Sequence, residues 1–195
     1  MARQDPEHPD PEELDLGTVV ERAQDGDPEA FESLVLRYET SLFRMAYRML
    51  GDRGDAEDVT QETLVYAWQK LETLREPVTF PTWLLRIGAN RCKDAIRGQS
   101  RRGTHAVEEE TLARIPSTAP GEDQHRSAES REGMDQLNRL LQTLPEDQRL
   151  VWILRELHGY SYNQLAETLG ASEAVIRGRL ARTRKNLAKG MEAWR

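Results

Sequence analysis

From Asp27 to Gly51 the apolar residues Phe31, Leu34, Val35, Tyr38, Leu42, Met45 and Met49 recur at helical spacing. Asp27-Pro28 supplies an N-cap followed by proline at the first helical position, and Gly51 supplies the stop. After the turn GDRG, Asp55 is placed to cap a second helix running to about Leu71, with Leu64, Trp68 and Leu71 as its apolar stripe. The loop TLREPVTFP then leads into FPTWLLRIGANRCKDAIRGQSRR. In that helix Leu85, Gly88, Ala89, Cys92 and Ile96 line one side, while Arg86, Asn90, Lys93 and Arg97 form a continuous polar row on another. Residues 103–130 lack sustained periodicity and are rich in Pro, Ser, Thr, Glu and Gly, the composition of a flexible acidic linker. Beyond it, Met134, Leu137, Leu140 and Leu141 belong to a further helix, and Pro145 opens the next, holding Val151, Leu154 and Leu157. No strand-like alternation is long enough to nucleate a sheet, and no internal repeat is present. The pattern predicts an all-α chain with an acidic tail over 1–15, a small helical domain over 16–102, the linker over 103–130 and a second helical domain over 131–195.

Composition adds little to this picture until charge is read locally. The net charge of −7 conceals two basic blocks. Residues 83–102 carry six Arg or Lys against Asp94, and residues 171–195 carry seven against Glu173 and Glu192. Residues 1–16 hold six acids against Arg3, and residues 103–130 hold six against Arg114 and Arg126. Two basic blocks separated by an acidic spacer suit two contacts with one polyanion, although either block alone reads as a solvated helix face. No apolar run approaches the roughly 18 residues that span a bilayer, and the N-terminus lacks the apolar core of a signal peptide. Membrane insertion and export are therefore not expected. The single cysteine, Cys92, excludes an internal disulfide, fits a reducing cytoplasm and falls on an apolar stripe where a small core residue belongs. His8, His105, His125 and His158 show no metal-ligand spacing with it, so neither metal nor cofactor is expected.

The stretch YSYNQLAETLGASEAVIRGRLARTRKNLAK carries the sharpest signal. Ser161 and Gln164 form a capping box for a short helix bearing Leu165, Ala166 and Leu169; Gly170 ends it, and Ser172 caps the next helix after a three-residue turn. This is helix-turn-helix spacing, with the second helix free to enter a DNA major groove. Ile176, Leu180, Thr183 and Leu187 face the core. The opposite side presents Ala174, Gly178, Ala181, Arg182, Lys185 and Lys189. Small residues let the backbone approach base edges, and the basic residues beyond them reach bases or phosphates. A surface helix in an ordinary bundle explains the stripe but not this small-then-basic order.

At these residues the chain resembles the extracytoplasmic-function (ECF) sigma factors of bacterial RNA polymerase, over about 16–102 and 131–192. GDAEDVTQETLVYAWQKL is similar to the family's core-polymerase-binding helix. The resemblance implies that Asp55, Asp58, Gln61, Glu62 and Leu64 meet a basic coiled coil on the largest polymerase subunit. FPTWLLRIGANRCKDAIRGQSRR is similar to the segment that reads and melts the −10 element, implying roles there for Phe80, Trp83, Arg86, Asn90, Lys93 and Arg97. In that scheme the loop 75–81 and Asn90 hold an extruded base while the basic row follows the backbone; Trp83 is both a core and a DNA candidate. LPEDQRLVWILRELHGYSYNQLAETLGASEAVIRGRLARTRKNL is similar to the −35-reading domain, with Ser172, Arg177, Gly178, Arg179, Ala181, Arg182 and Lys185 as candidate contacts. The implied partners are core RNA polymerase through its beta and beta-prime subunits, promoter DNA in duplex and single-stranded form, and an anti-sigma factor. The implied location is the cytoplasm, on the nucleoid when in holoenzyme. Three departures stand out. Leu64 replaces the family's usual aromatic, and Pro81 follows Phe80 within the melting loop. Ala174, Val175 and Gly178 replace the usual Gly, Thr and Ser, so the promoter sequence does not carry over from relatives.

Two rival readings remain open at the level of sequence. A helix-turn-helix operator-binding regulator independent of polymerase explains 144–190 but leaves DAEDVTQE and the Trp83 segment unused. An enzyme would use Asp55, Asp58 and Glu62 as a metal-binding carboxylate face, but no partner histidine or second acidic motif accompanies them.

Overall fold

The computed structural model describes residues 15–103 and 128–192, all of whose regular elements are helical. The acidic tail before Asp15 and the linker between 104 and 127 lie outside the described residues. Eight α-helices follow one another among those described: α1 (Leu16–Gln24), α2 (Pro28–Leu50), α3 (Arg53–Lys70), α4 (Phe80–Gly103), α5 (Ala128–Gln142), α6 (Glu146–Glu156), α7 (Tyr162–Leu169) and α8 (Glu173–Glu192).

Helix boundaries follow from caps. The Asp15 carboxylate accepts from the Gly17 and Thr18 amides and starts α1, a helix the apolar spacing did not single out. Asp27 accepts from the Glu29 and Ala30 amides, Pro28 opens α2, and Gly51 ends it at φ +77°. Asp52, three residues before the expected cap Asp55, accepts from the Asp55 amide and starts α3 earlier than its spacing suggests. Its buried face is Ala56, Val59, Thr60, Thr63 and Ala67; of the expected stripe, Leu71 at the helix end is buried, Leu64 packs partly against the core and Trp68 is exposed. Thr60 and Thr63 sit in the core because their hydroxyls donate to the Ala56 and Val59 carbonyls at 2.7 and 2.6 Å. Leu157, expected inside α6, caps its end and is exposed.

The first unit is built on α2, against which α1, α3 and α4 pack; the second is built on α8, against which α5, α6 and α7 pack. The two are not separate bodies. Helices α5 and α6 lie against α2, and most buried apolar residues of both units join in one cluster running from Val19 to Leu180, with Leu141, Leu144 and Leu187 in a smaller one.

Candidate nucleic-acid interface

Helix α4 is set by what it buries. Phe80, 1% exposed, is its first residue and anchors it, with ring centroids 5.6 Å from Tyr38 and 6.0 Å from Trp83. Leu84, Leu85, Ala89 and Cys92 continue the buried face, and burial pushes the Cys92 thiol up to about 12, so it stays protonated. Gly88 permits the close approach to α2: a Cβ there would come 2.5 Å from Leu42 Cδ1 and 2.9 Å from Met45 Cε. With that face fixed, Arg86, Asn90 and Arg97 turn outward and Lys93 is half-buried beside them. The sequence row is thus a physical row. Two expected DNA contacts sit differently. Phe80 is a core anchor with no surface to offer a base, because its side chain fills the space between α2 and α4. Trp83 is only partly buried and packs on the edge of the core, retaining some outward surface. Pro81 stands in the first turn of α4, where its missing N–H costs nothing, and the segment ahead of it is a 3-10 turn over Pro77–Thr79.

On α3, Asp58, Gln61 and Glu62 are exposed, and Leu64 is partly buried against the core. Asp55 accepts from Gln99 Nε2 at 2.5 Å, and Glu62 pairs with Arg91 at 2.7 Å. Arg91 and Asp94 line a shallow cleft with Asp55, Asp58 and Glu62. Among the described residues these carboxylates do not come together as a metal-ligating group. Sequence reasoning missed two features beside this face. Val65, Tyr66 and Trp68 are exposed, Trp68 resting on Phe31 at 4.8 Å, and a groove between α2 and α3 is lined by Glu39, Phe43, Glu57 and Gln61. Large apolar residues displaced outward by the small core of α3 were the available signal.

The helix-turn-helix forms as its caps dictate. The Ser161–Gln164 capping box is reciprocal, Gly170 is left-handed at φ +59°, and Ser172 Oγ accepts from the Val175 amide at 3.4 Å. Ile176, Leu180, Thr183 and Leu187 are buried. Ala174, Ala181, Arg182, Lys185 and Lys189 are exposed on the far side, and Gly178 is partly exposed among them. Arg177 pairs with Glu173 and lies over the Tyr162 ring at 5.2 Å.

Not every basic group is available. Lys93 Nζ donates to Asp147 Oδ1 at 2.6 Å, and Arg179 Nη2 lies 2.9 Å from Asp147 Oδ2. Arg97 bonds Asp94 at 3.1 Å and reaches Glu146 at 3.7 Å. The hydrogen bond from Lys93, together with the charges of Lys93, Arg179 and Arg97, holds the Asp147 carboxyl below the usual carboxylate range despite partial burial.

This geometry has counterparts among known proteins. Residues 34–102 match the family described as sigma-70 region 2, and residues 134–187 match sigma-70, region 4. The chain is 33% identical over 178 residues to the ECF RNA polymerase sigma-E factor of Salmonella typhimurium, covering 89% of this chain and 93% of that one. The chain belongs to the ECF sigma factor family. Two solved structures share its shape across both halves. RpoE of Bartonella quintana, in complex with the anti-sigma factor NepR, has a TM-score of 0.70 at 26% identity, covering 85% of this chain and 98% of that one. CnrH, in complex with the cytosolic domain of CnrY, has a TM-score of 0.68 at 27% identity, covering 91% and 97%. In this sigma factor the α3 face and α4 row fall within the region 2 match, and the helix-turn-helix falls within the region 4 match.

Proposed function

We propose that this ECF sigma factor works through three surfaces with separate tasks. The α3 face of Asp55, Asp58, Gln61, Glu62 and Leu64 docks on core RNA polymerase, and the exposed Val65 and Trp68 extend it. The outer side of α8, with Gly178, Ala181, Arg182 and Lys185 at its centre, reads duplex −35 DNA. The α4 row of Arg86, Asn90, Lys93 and Arg97 takes the opened −10 strand, with Trp83 at its edge and Phe80 holding the helix in place from within. The observation that carries this reading is the pairing of an exposed polar-basic row on α4 with a small-then-basic outer face on α8, each on a helix whose other side is locked into the core. An operator-binding regulator has use for the second surface alone.

The sigma factor family is one of transcription initiation factors, and no catalytic step is assigned to this chain. Among the described residues no helix is long and apolar enough to cross a membrane, and we place the protein's work in the cytoplasm, on the nucleoid when in holoenzyme. An anti-sigma factor is a further partner, on the strength of the sigma–anti-sigma complex of the Bartonella relative. A gel shift with promoter DNA, with and without core polymerase, tests the function. Specific binding is expected only with polymerase present; equally tight, equally specific binding by the free chain would favour the operator-binding reading.

A further inference from the structure

In the first two turns of α8 nearly every side-chain group that could form a hydrogen bond is already engaged. Arg177 pairs with Glu173 and lies over the Tyr162 ring at 5.2 Å. Arg179 Nη2 lies 2.9 Å from Asp147 Oδ2. Ser172 serves as the cap, its Oγ accepting from the Val175 amide at 3.4 Å. Ile176 is buried, and Ala174 and Gly178 carry no side-chain donor or acceptor. What remains is Val175, an isopropyl group 44% exposed. Among the described residues no other large apolar side chain of α8 is exposed.

Val175 stands three residues before Gly178 and seven before Arg182, so the three share one strip of the helix. The ion pairs of α8 among the described residues use Arg177, Arg179 and Arg184 and leave Arg182 out. Helical side chains lean toward the N-terminus, and Arg182 Nη2 lies 4.0 Å from the point where a Cβ on residue 178 would stand. The bare backbone at Gly178 thus brings the guanidinium to within about 4.5 Å of Val175 along the helix axis. The strip presents an uncommitted cation and an apolar group side by side.

We propose that Val175 reads the 5-methyl group of a thymine in the −35 duplex, beside the base taken by Arg182. A hydrocarbon side chain gains nothing from phosphates or from polar base edges, and the thymine methyl is the one methyl group a base pair shows in the major groove. Their contact takes both apolar surfaces out of water. Lys185 and Lys189, farther along α8, suit phosphates, which position the helix without choosing sequence. Ala174 and Ala181 also expose methyl groups, but Val175 projects one carbon farther from the backbone. The proposal rests on the assignment of α8 to duplex −35 DNA made above.

The test uses holoenzyme assembled with core polymerase, on a promoter found by sequencing transcripts after overexpression. Each thymine of the −35 element, on either strand, is replaced in turn by deoxyuridine, which keeps every hydrogen-bonding group and lacks only the methyl. With the native chain, at least one replacement is expected to weaken binding about fourfold in a competition gel shift, the worth of one buried methyl group. With Val175→Ala the same replacement is expected to make no measurable difference. With Arg182→Ala the loss is expected to persist, on top of that variant's own weaker binding. Val175 is exposed, so the alanine variant keeps the fold, which circular dichroism checks. A −35 element of G·C pairs alone, no deoxyuridine effect with the native chain, or an equal effect with V175A would each overturn the proposal. Disappearance of the effect in R182A would also overturn it, since the methyl would then be felt only through the arginine. Specific binding of native holoenzyme to the unmodified promoter separates these failures from failure of the functional reading: with it, the sigma-factor function stands while the methyl contact falls.

Discussion

Asn90 is an exposed polar residue one turn from Arg86 and next to half-buried Lys93, on a helix whose opposite side is buried. Such a side chain adds nothing to the core and is free to hydrogen-bond the edge of an unpaired base. Asn90→Ala is therefore expected to leave polymerase affinity and −35 binding unchanged while slowing promoter opening. A template already mismatched across −10 restores much of the activity, because unpairing has been done in advance. Normal opening on fully paired DNA would move the base pocket elsewhere. His158 makes a different prediction. Its Nδ1 lies 3.3 Å from Ser41 Oγ across the junction, and burial, reinforced by the charge of Arg48, pushes its pKa down to about 4. The folded pKa is below the ordinary value of 6.5, so the unfolded chain binds the extra proton between those values. Stability from neutral His158 is full above about pH 6.5 and falls as pH drops toward 4, by on the order of 3 kcal/mol. Denaturant melts at several pH values check this, and His158→Gln should flatten the slope. Residue roles were only partly legible in the sequence. Asn90 and Arg86 declare themselves by spacing, but Phe80 was expected at the DNA, and its burial between α2 and α4 makes it an anchor instead.

Elements with strong punctuation were legible before any coordinates. Asp27-Pro28 with Gly51 bounds α2, and Ser161, Gln164, Gly170 and Ser172 bound the helix-turn-helix, because each residue meets a specific backbone need. Helix α3 was misread for an equally physical reason. Its core face uses alanines and threonines, which carry little apolar signal, whereas Val65 and Trp68 point outward. That inversion strengthens the docking assignment, since exposed aromatic and aliphatic residues beside Asp58 and Glu62 form an apolar patch with an acidic border. Asp58→Arg with Glu62→Arg should abolish pull-down of core polymerase, a change on the order of several kcal/mol, with helicity by circular dichroism unchanged. Retained pull-down would remove α3 from the interface. On α8, Arg182 and Lys185 are both exposed but stand at different distances along the helix from its N-terminal, small-residue end. Arg182→Ala should cost roughly 1–3 kcal/mol and relax specificity at −35, whereas Lys185→Ala should weaken cognate and scrambled DNA alike and reduce the salt slope. Identical behaviour of the two variants would make α8 an electrostatic clamp only.

At the scale of the whole molecule, the chain's charge pattern pointed to two contacts with one polyanion, and the two basic blocks are on α4 and α8. What the sequence did not reveal is that these units pack on each other. The junction depends on Arg149 reaching the Met49 carbonyl, Gln142 reaching that of Arg48, and Asp147 spanning Lys93 and Arg179, none of which has a periodic or motif signature. An arginine in LPEDQR reads as surface charge until its burial is seen. In the proposed function this chain opens promoter DNA only as part of a polymerase, with recognition on α8 and melting on α4. Permanganate reactivity of thymines near the start site tests it most directly, on a promoter obtained by sequencing transcripts after overexpression. Reactive thymines are expected with the chain and core polymerase together, and not with either alone. Promoter-specific duplex binding by the chain without polymerase, or a holoenzyme that binds and leaves every thymine protected, would contradict it.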